Sequence, residues 1–125
     1  MAAGKKMERK PLDTPEETRI LPEGKGKLQL VSIGDFKLGR AVFEPGWRWS
    51  KHVKPVVKTE LCEAAHTGYV LEGRMRVHMQ DGSELEYGPG DACYIPPGHD
   101  AWIVGDKRCV MLDFSGAANY GKPPK

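Results

Sequence analysis

Two side chains that could take part in chemistry, His99 and Asp100, follow directly after a turn in the stretch of residues 88–102. This stretch holds a Gly-Pro-Gly-Asp turn, a short apolar strand over 92–95 and a second turn at 96–98. An imidazole can act as an acid, a base or a metal ligand, and a neighbouring carboxylate can orient it. Two turns around so short a strand are typical of a strand end that holds a side chain at a fixed place.

Charged groups that could bind a substrate flank another histidine, His52. Arg48 precedes it and Lys54 follows it, and a guanidinium binds a carboxylate through two parallel hydrogen bonds. We therefore predict that Arg48 and Lys54 bind an anionic group of a small ligand. Asp100 and Trp102 are also predicted as ligand-binding residues. Solvated surface charge is the alternative for the two cations, and simple packing is the alternative for Trp102. Asp100 could equally orient the histidine before it or cap the turn.

The composition indicates a single globular domain. The chain has 125 residues, 39% of them hydrophobic, and a mean hydropathy of −0.52, which suits one domain with one core. No apolar run approaches the roughly 20 residues of a membrane helix, and none follows the charged N-terminal residues, so we expect neither a membrane partner nor a signal peptide. A net charge of +2 with dispersed lysines argues against a nucleic-acid partner. Three cysteines without a CxxC motif favour the reducing cytoplasm.

The series of short apolar runs predicts an all-β fold. The 15 glycines and 10 prolines recur between these runs, as in proteins built from short strands and tight turns. We predict strands over 19–21, 27–32, 36–43, 66–71, 74–79, 83–87, 92–95, 101–104 and 107–114. One flat sheet of so many strands would leave long exposed edges, so we expect a sandwich or a closed jelly-roll barrel. The barrel domain is expected to span 19–114, between a poorly ordered arm over 1–18 and a flexible tail over 115–125.

Residues 53–65 form the least regular segment. It contains a proline, two lysines and two glutamates, and an irregular segment of this length inside a small domain is usually a lid or a binding loop. Its candidate reactive groups are Cys62, Glu60 and Glu63. The alternative for Cys62 is a half-buried cysteine without chemistry, and only their location supports the two glutamates.

Two spaced motifs resemble those of the cupins, a superfamily of small β-barrels. The spacings are Gly-x5-His in the first motif and Gly-x5-Pro-x-Gly in the second. The chain matches them at Gly46, His52, Gly90, Pro96 and Gly98. The wording Tyr-Val-Leu-Glu-Gly at 69–73 is also usual in cupins. The resemblance covers about 34–114 and implies a cupin-type double-stranded β-helix, in a subgroup of small single-domain bacterial cupins of unassigned function.

The resemblance further implies a metal site. Lys54 stands where cupins have the second histidine of the first motif, His66 stands at the glutamate position, and Ala101 stands at the last histidine position. Because His99 has the same strand parity as Ala101, the predicted metal ligands are His52, His66 and His99, brought together from three strands. Three imidazoles suit Fe, Ni, Cu, Mn or Zn and leave positions open for a small-molecule substrate. The implied function is a metal-dependent oxygenase or other oxidoreductase.

A metal-free cupin that binds a small ligand as a sensor or carrier is the alternative function. In that case His66 would be a core histidine, and His99 could face solvent at the barrel mouth. We also expect a homodimer, with the strand at 27–32 as a candidate contact.

Overall fold

The computed structural model describes residues 6–58, 61 and 65–115, and within them the chain forms nine strands, two short α-helices and one 3-10 turn at Pro22–Gly24. The strands are β1 (Glu17–Ile20), β2 (Gly26–Ile33), β3 (Phe36–Phe43), β4 (His66–Glu72), β5 (Met75–Met79), β6 (Glu84–Tyr87), β7 (Ala92–Ile95), β8 (His99–Ile103) and β9 (Cys109–Ser115). The helices, of one turn each, are α1 (Trp49–His52) and α2 (Lys54–Val57). The predicted all-β class is confirmed.

The strands form two antiparallel sheets. The larger sheet has the order β1-β2-β3-β9-β4-β7, and the smaller has the order β6-β5-β8. The last strand, β9, therefore lies between β3 and β4 in the larger sheet. Strands distant in sequence therefore pair within each of the two packed sheets, as β3 does with β9 and β5 with β8. This topology confirms the expected double-sheet jelly roll.

The inner faces of the two sheets pack into one hydrophobic core. In β8 the buried residues His99, Ala101 and Ile103 alternate with Asp100 and Trp102, which is the period of a strand with one face inside. Core residues from the other strands include Leu28, Leu30, Phe43, Val70, Met75, Val77, Cys93, Ile95, Cys109 and Met111. Each large apolar side chain buried in this way contributes roughly 1.5–3 kcal/mol. A slip of one residue would turn such a face outward, so the shared core sets the strand registers.

Two elements beside the core differ from the prediction. β8 begins at His99 instead of residue 101, because His99 pairs with Met79 of β5. His52 lies on α1 and not on a strand, because the chain turns helical at Trp49 and buries both Trp49 and Val53 in the core. The first difference brings His99 into the barrel wall, and the second removes His52 from it.

The strand predicted as a dimer contact is not a sheet edge. β2, which contains residues 27–32, pairs with β1 on one side and with β3 on the other. Its backbone groups are already used in these ladders, so this strand cannot extend the sheet into a second copy. The outer strand on this side of the larger sheet is β1.

Part of the N-terminal segment lies along the β2–β3 hairpin. The Ser32 backbone N–H donates to Glu16 at 2.6 Å, and the Gly34 N–H donates to Glu8 at 2.5 Å. Arg40 pairs with Asp13 at 2.6 Å. The expected boundaries of an arm over 1–18, a barrel over 19–114 and a tail over 115–125 stay a prediction. No helix in the described part of the chain is long and apolar enough to cross a membrane.

Candidate functional site

A cavity lies between the inner faces of the two sheets. Its volume is about 40 Å³, room for about three water-sized groups, since one water needs roughly 10–15 Å³. Its titratable lining side chains are His66, Cys93, His99 and Asp113. The rest of the wall is apolar or backbone: Leu28, Ala41, Phe43, Trp47, Trp49, Gly68, Met75, Ile95, Ala101, Met111 and Leu112.

His66 and Asp113 form a hydrogen-bonded pair in the cavity wall. His66 is the first residue of β4, Asp113 lies on β9, and their Nδ1 and Oδ2 atoms are 2.9 Å apart. The two side chains are 12% and 13% exposed. Because a carboxylate accepts hydrogen bonds, Nδ1 carries the proton, and Nε2 of the neutral ring is the unprotonated nitrogen. Asp113 therefore fixes both the tautomer and the orientation of the imidazole.

The β4–β9 ladder brings this pair together at an irregularity in its register. Asp113 shares the inward face of β9 with Met111 by strand alternation, and it lies opposite Gly68, where the register shifts between Thr67 and Gly68. A Cβ atom at Gly68 would overlap the carbonyl oxygen of Leu112. The close approach of the two strands beside the pair therefore requires a glycine.

His99 is the second imidazole of the cavity. It is 3% exposed, and its ring centroid lies 5.6 Å from that of His66, with the two rings at 71°. Its Nδ1 lies 2.8 Å from the carbonyl oxygen of Pro96. A carbonyl only accepts, so Nδ1 donates, and Nε2 of the neutral ring is an acceptor. The turn before β8 thus does for His99 what Asp113 does for His66.

Trp47 and Trp49 supply two buried hydrogen-bond donors. The residue between them, Arg48, is extended, with φ −144° and ψ 132°, so the two indoles lie on the same side of the chain. Both rings line the cavity, and both Nε1 atoms are buried without a hydrogen-bond partner among the described residues. An indole N–H can only donate, and leaving one unpaired inside a protein costs roughly 1–3 kcal/mol.

His52, a predicted metal ligand, is buried outside the cavity lining. Its Nδ1 accepts a hydrogen bond from the backbone N–H of Arg48 at 3.0 Å. His52 is the last residue of α1, and this bond pairs the backbone N–H at the N-terminus of the same helix. Its Nε2 lies 3.7 Å from Oε2 of Glu23. The structure therefore brings His66 and His99 together and separates His52 from them.

The predicted ligand-binding residues Arg48, Asp100 and Trp102 form a cluster outside the cavity lining. Asp100 Oδ1 accepts the backbone N–H of Ser50 at 3.0 Å and that of Ala101 at 2.9 Å. The Arg48 guanidinium lies 4.4 Å from the Trp102 ring centroid and 3.4 Å from Asp100 Oδ2. These contacts tie α1 to β8. Lys54, at the start of α2, is not among the cavity-lining residues either.

A metal ion does not fit the side chains that the structure describes. Across residues 6–58, 61 and 65–115, no group of three or more His, Cys, Asp and Glu side chains is arranged to hold one. His66 and His99 present two imidazoles, and the third predicted ligand, His52, has its Nδ1 bonded to the backbone. Transition-metal sites in proteins generally use three or four protein ligands.

Cys93 adds a neutral thiol to the wall. Burial raises the pKa of the Cys93 thiol, so at neutral pH it is protonated and behaves as a small apolar group. The other candidate groups of the irregular segment, Cys62, Glu60 and Glu63, lie outside the described residues.

Sequence reasoning missed Asp113 and the paired role of the two tryptophans. Asp113 could have been noticed as a single carboxylate with the strand parity of Cys109 and Met111, two apolar residues that face the core. Trp47 and Trp49 are two residues apart in an extended stretch, which places them on one face. Neither pattern shows which strand, or which hydrogen-bonding side chain, will lie opposite these residues in the folded protein.

Comparison with known proteins places the chain among small β-barrels of similar architecture. A polyketide cyclase, RemF, from Streptomyces resistomycificus is 25% identical over 90% of this chain and 80% of its own, with a TM-score of 0.62. A protein of unknown function from Acidithiobacillus ferrooxidans is 21% identical over 81% and 88% of the two chains, with a TM-score of 0.60. A sugar phosphate isomerase of the cupin superfamily from Silicibacter pomeroyi is 20% identical over 87% and 73%, with a TM-score of 0.57.

No curated protein sequence matches the chain significantly. The family model for the cupin domain matches residues 39–115, which include both histidines of the cavity, Asp113 and the two tryptophans. This match spans more than half of the 125 residues, so the chain belongs to the cupin family.

Proposed function

We propose that this cupin binds a small, mostly apolar molecule in the cavity between its sheets and moves a proton on it without a metal ion. The observation that carries the proposal is the 2.9 Å contact between Asp113 Oδ2 and His66 Nδ1 in a wall whose other side chains are mostly apolar. A carboxylate-bound imidazole is the usual device for general acid–base catalysis in proteins.

The chemistry follows from the tautomer of His66. With Nδ1–H donated to Asp113, the lone pair of Nε2 can take a proton from a bound molecule. The imidazolium so formed lies next to the Asp113 carboxylate, which stabilises its charge in a wall of low polarity. His99, held in the same tautomer by Pro96, provides a second acceptor nearby.

The size and lining of the cavity limit the ligand. A volume of about 40 Å³ admits a molecule of a few non-hydrogen atoms. Among the described lining residues there is no lysine or arginine, and a buried anion without a cationic partner is strongly disfavoured. We therefore favour a neutral ligand over the anionic one expected from Arg48 and Lys54.

The experiment is a fragment screen on chelator-treated protein purified without an affinity tag, read by NMR. Small neutral fragments are expected to shift the NMR signals of cavity residues such as Met75. The substitution His66→Gln is expected to abolish proton transfer between the protein and these fragments. His78→Gln is the matched control, because His78 also pairs with a carboxylate, Glu84 at 2.7 Å, but on the exposed outer face.

The predicted metal-dependent oxidoreductase is the outcome that would overturn this proposal. Stoichiometric Fe, Ni, Cu, Mn or Zn in the purified protein, with fragment binding that disappears on chelation, would establish it. A protein that holds no metal and binds no fragment in the cavity would contradict both functions.

A homodimer in the cytoplasm is proposed as well. The thiols of Cys93 and Cys109 are free and buried, as suits a reducing compartment. The outer strand β1 exposes Ile20, so it is the candidate contact in place of β2. Light scattering that reports a monomer at all concentrations would exclude the dimer.

A further inference from the structure

The outer face of the larger sheet is covered over one half and exposed over the other. Asp13 of the N-terminal segment pairs with Arg40 of β3. Beside this contact Gln29 and Val31 of β2 alternate with core residues and so point outward, yet they are only 7% and 2% exposed. Over β9, β4 and β7 the same outer face is open to solvent, as the exposure of its side chains shows.

This open half carries a group of large apolar side chains. Tyr69 and Leu71 flank a fully buried residue of β4, and Tyr94 lies between two buried residues of β7, so strand alternation turns all three outward. Phe114 points outward on β9, because the residue before it lines the cavity. Phe36 of β3 adjoins it, with the two ring centroids 6.3 Å apart. These five side chains are 38–61% exposed, and we call them the exposed apolar face.

The strand registers show that uncharged residues fill the space between the members of this face. Tyr69 lies opposite Leu112 of β9 on one side and Ala92 of β7 on the other. Tyr94 lies opposite Thr67. A charged group buried against these residues would find no counter-ion among them, which is strongly disfavoured. A partner that covers the exposed apolar face must therefore be apolar and uncharged as well.

We propose that the exposed apolar face binds the same face of a second copy of this chain. The inference rests on the homodimer proposed above and locates its contact. A two-fold axis brings a patch onto its own copy, and an uncharged apolar patch can meet itself without repulsion. The two larger sheets would then pack face to face, roughly 10 Å apart. β1, which carries Ile20, is at the opposite edge of the sheet from β7, so a contact through Ile20 is a different arrangement.

The area of the exposed apolar face suits a stable dimer. A large aromatic side chain has about 150–250 Å² to bury. Five large side chains that are 38–61% exposed therefore leave on the order of 400 Å² of apolar surface. A stable interface takes about 800 Å² from each partner, of which roughly 55–65% is apolar. The face supplies most of that apolar area, whereas Ile20 is one exposed side chain.

Sedimentation velocity over a range of concentrations tests the proposal. The wild-type protein is expected to form a dimer whose fraction falls on dilution. Tyr69→Glu is expected to raise the dimer dissociation constant at least about 100-fold, because two-fold symmetry buries the new charge twice. Leu85→Glu is the matched control, since Leu85 is 63% exposed on β6 of the smaller sheet, and it should leave the dissociation constant unchanged. Tyr94→Glu gives the same test if Tyr69→Glu does not fold.

A measurement on the wild-type protein needs no substitution. A soluble gadolinium chelate broadens the NMR signals of methyl groups that face solvent. The methyl signals of Leu71 are expected to be protected at concentrations where the dimer forms and to broaden on dilution. Those of Leu85 should broaden equally at both concentrations. Leu71 methyl groups that stay accessible in the dimer would overturn the proposed contact.

The substitution Ile20→Glu separates this inference from the proposed homodimer. A dimer that is lost in Ile20→Glu and kept in Tyr69→Glu would support the homodimer and contradict the exposed apolar face as its contact. A wild-type protein that stays monomeric at all concentrations would contradict both. Dissociation by Tyr69→Glu, with Ile20→Glu and Leu85→Glu still dimeric, would establish the contact.

Discussion

Asp113 Oδ2 lies 2.9 Å from His66 Nδ1, a contact that joins β9 to the first residue of β4 inside the barrel. The two residues are 47 positions apart in the sequence and meet because β9 inserts beside β4. His66 occupies the place where the resemblance expected a metal-binding glutamate. In this chain a carboxylate does reach that part of the cavity, but from a different strand and as the partner of an imidazole.

Asp113→Asn tests the role of this carboxylate. An amide can turn its N–H₂ toward His66, and the ring is then expected to change to the Nε2–H tautomer, which cannot accept a proton at Nε2. Long-range ¹H–¹⁵N NMR of the imidazole distinguishes the two tautomers. Asp100→Asn, outside the cavity lining, is the control and should leave the His66 signals unchanged. An Nε2–H tautomer already present in the wild type would contradict the assignment.

His52→Ala is expected to affect stability and not the cavity. The variant loses the acceptor of the Arg48 N–H and a fully buried ring. We therefore expect its free energy of unfolding, measured by urea denaturation, to be lower by about 1–3 kcal/mol. Fragment binding in the cavity should persist at a temperature where the variant is folded. Loss of a bound metal with unchanged stability would instead favour the predicted three-histidine site.

Gly68→Ala is expected to be strongly destabilising. The new Cβ would overlap the Leu112 carbonyl oxygen, so the β4–β9 ladder must separate, at a cost of about 2–4 kcal/mol. Gly82→Ala is the comparison, because Gly82 has φ +92° with open space around it and should cost only about 1 kcal/mol of backbone strain. Urea denaturation of both variants gives the difference, and equal losses would contradict the role of the close approach.

We expect the buried thiol of Cys109 to make the protein less stable at alkaline pH. Burial raises the pKa of the Cys109 thiol from its ordinary value of 9.0 to about 12. Folding therefore favours the protonated thiol, so this contribution is complete below about pH 9 and is lost as the pH rises from about 9 towards 12, where the unfolded chain ionises first. Denaturation midpoints measured from pH 7 to 11 should fall less steeply in Cys109→Ala than in the wild type. Parallel curves would exclude Cys109 as the cause.

Asp100 and Arg48 are expected to contribute to stability in unequal amounts. Asp100→Ala removes the acceptor of two backbone N–H groups, which should cost about 1–2 kcal/mol. Arg48→Ala removes a half-exposed ion pair and the cation–π contact, each worth about 1 kcal/mol or less. Thermal unfolding of the two variants gives the comparison. A loss of ligand binding in folded Arg48→Ala would restore its predicted substrate role.

Much of the fold could be predicted because its signals are local. The strands predicted over 36–43 and 92–95 match β3 and β7 residue for residue, and turns such as Asp81-Gly82 mark the hairpins. The parity that links His99 to Ala101 also depends on one strand alone, and both residues are buried in the core. Patterns with a period of two need no knowledge of neighbouring strands.

The helix at residues 49–52 could not be predicted in this way. Trp49 and Val53 are fully buried, and their packing against the core selects one helical turn where a strand was expected. Tertiary burial outweighs local propensity in such short segments. The position of His52, and with it the predicted three-histidine set, depends on that choice.

The sequence by itself determined the all-β class and the inward parity of individual residues, because repeating apolar patterns and turn residues act within a few positions of the chain. The choice of a cupin-type barrel over a sandwich came from the resemblance of its two spaced motifs. The tertiary structure alone decided that Asp113 meets His66, that Pro96 orients His99, and that Trp47 and Trp49 share a cavity with them. These contacts depend on the order of strands in a sheet, and that order is set by burial of the whole core instead of by any local segment.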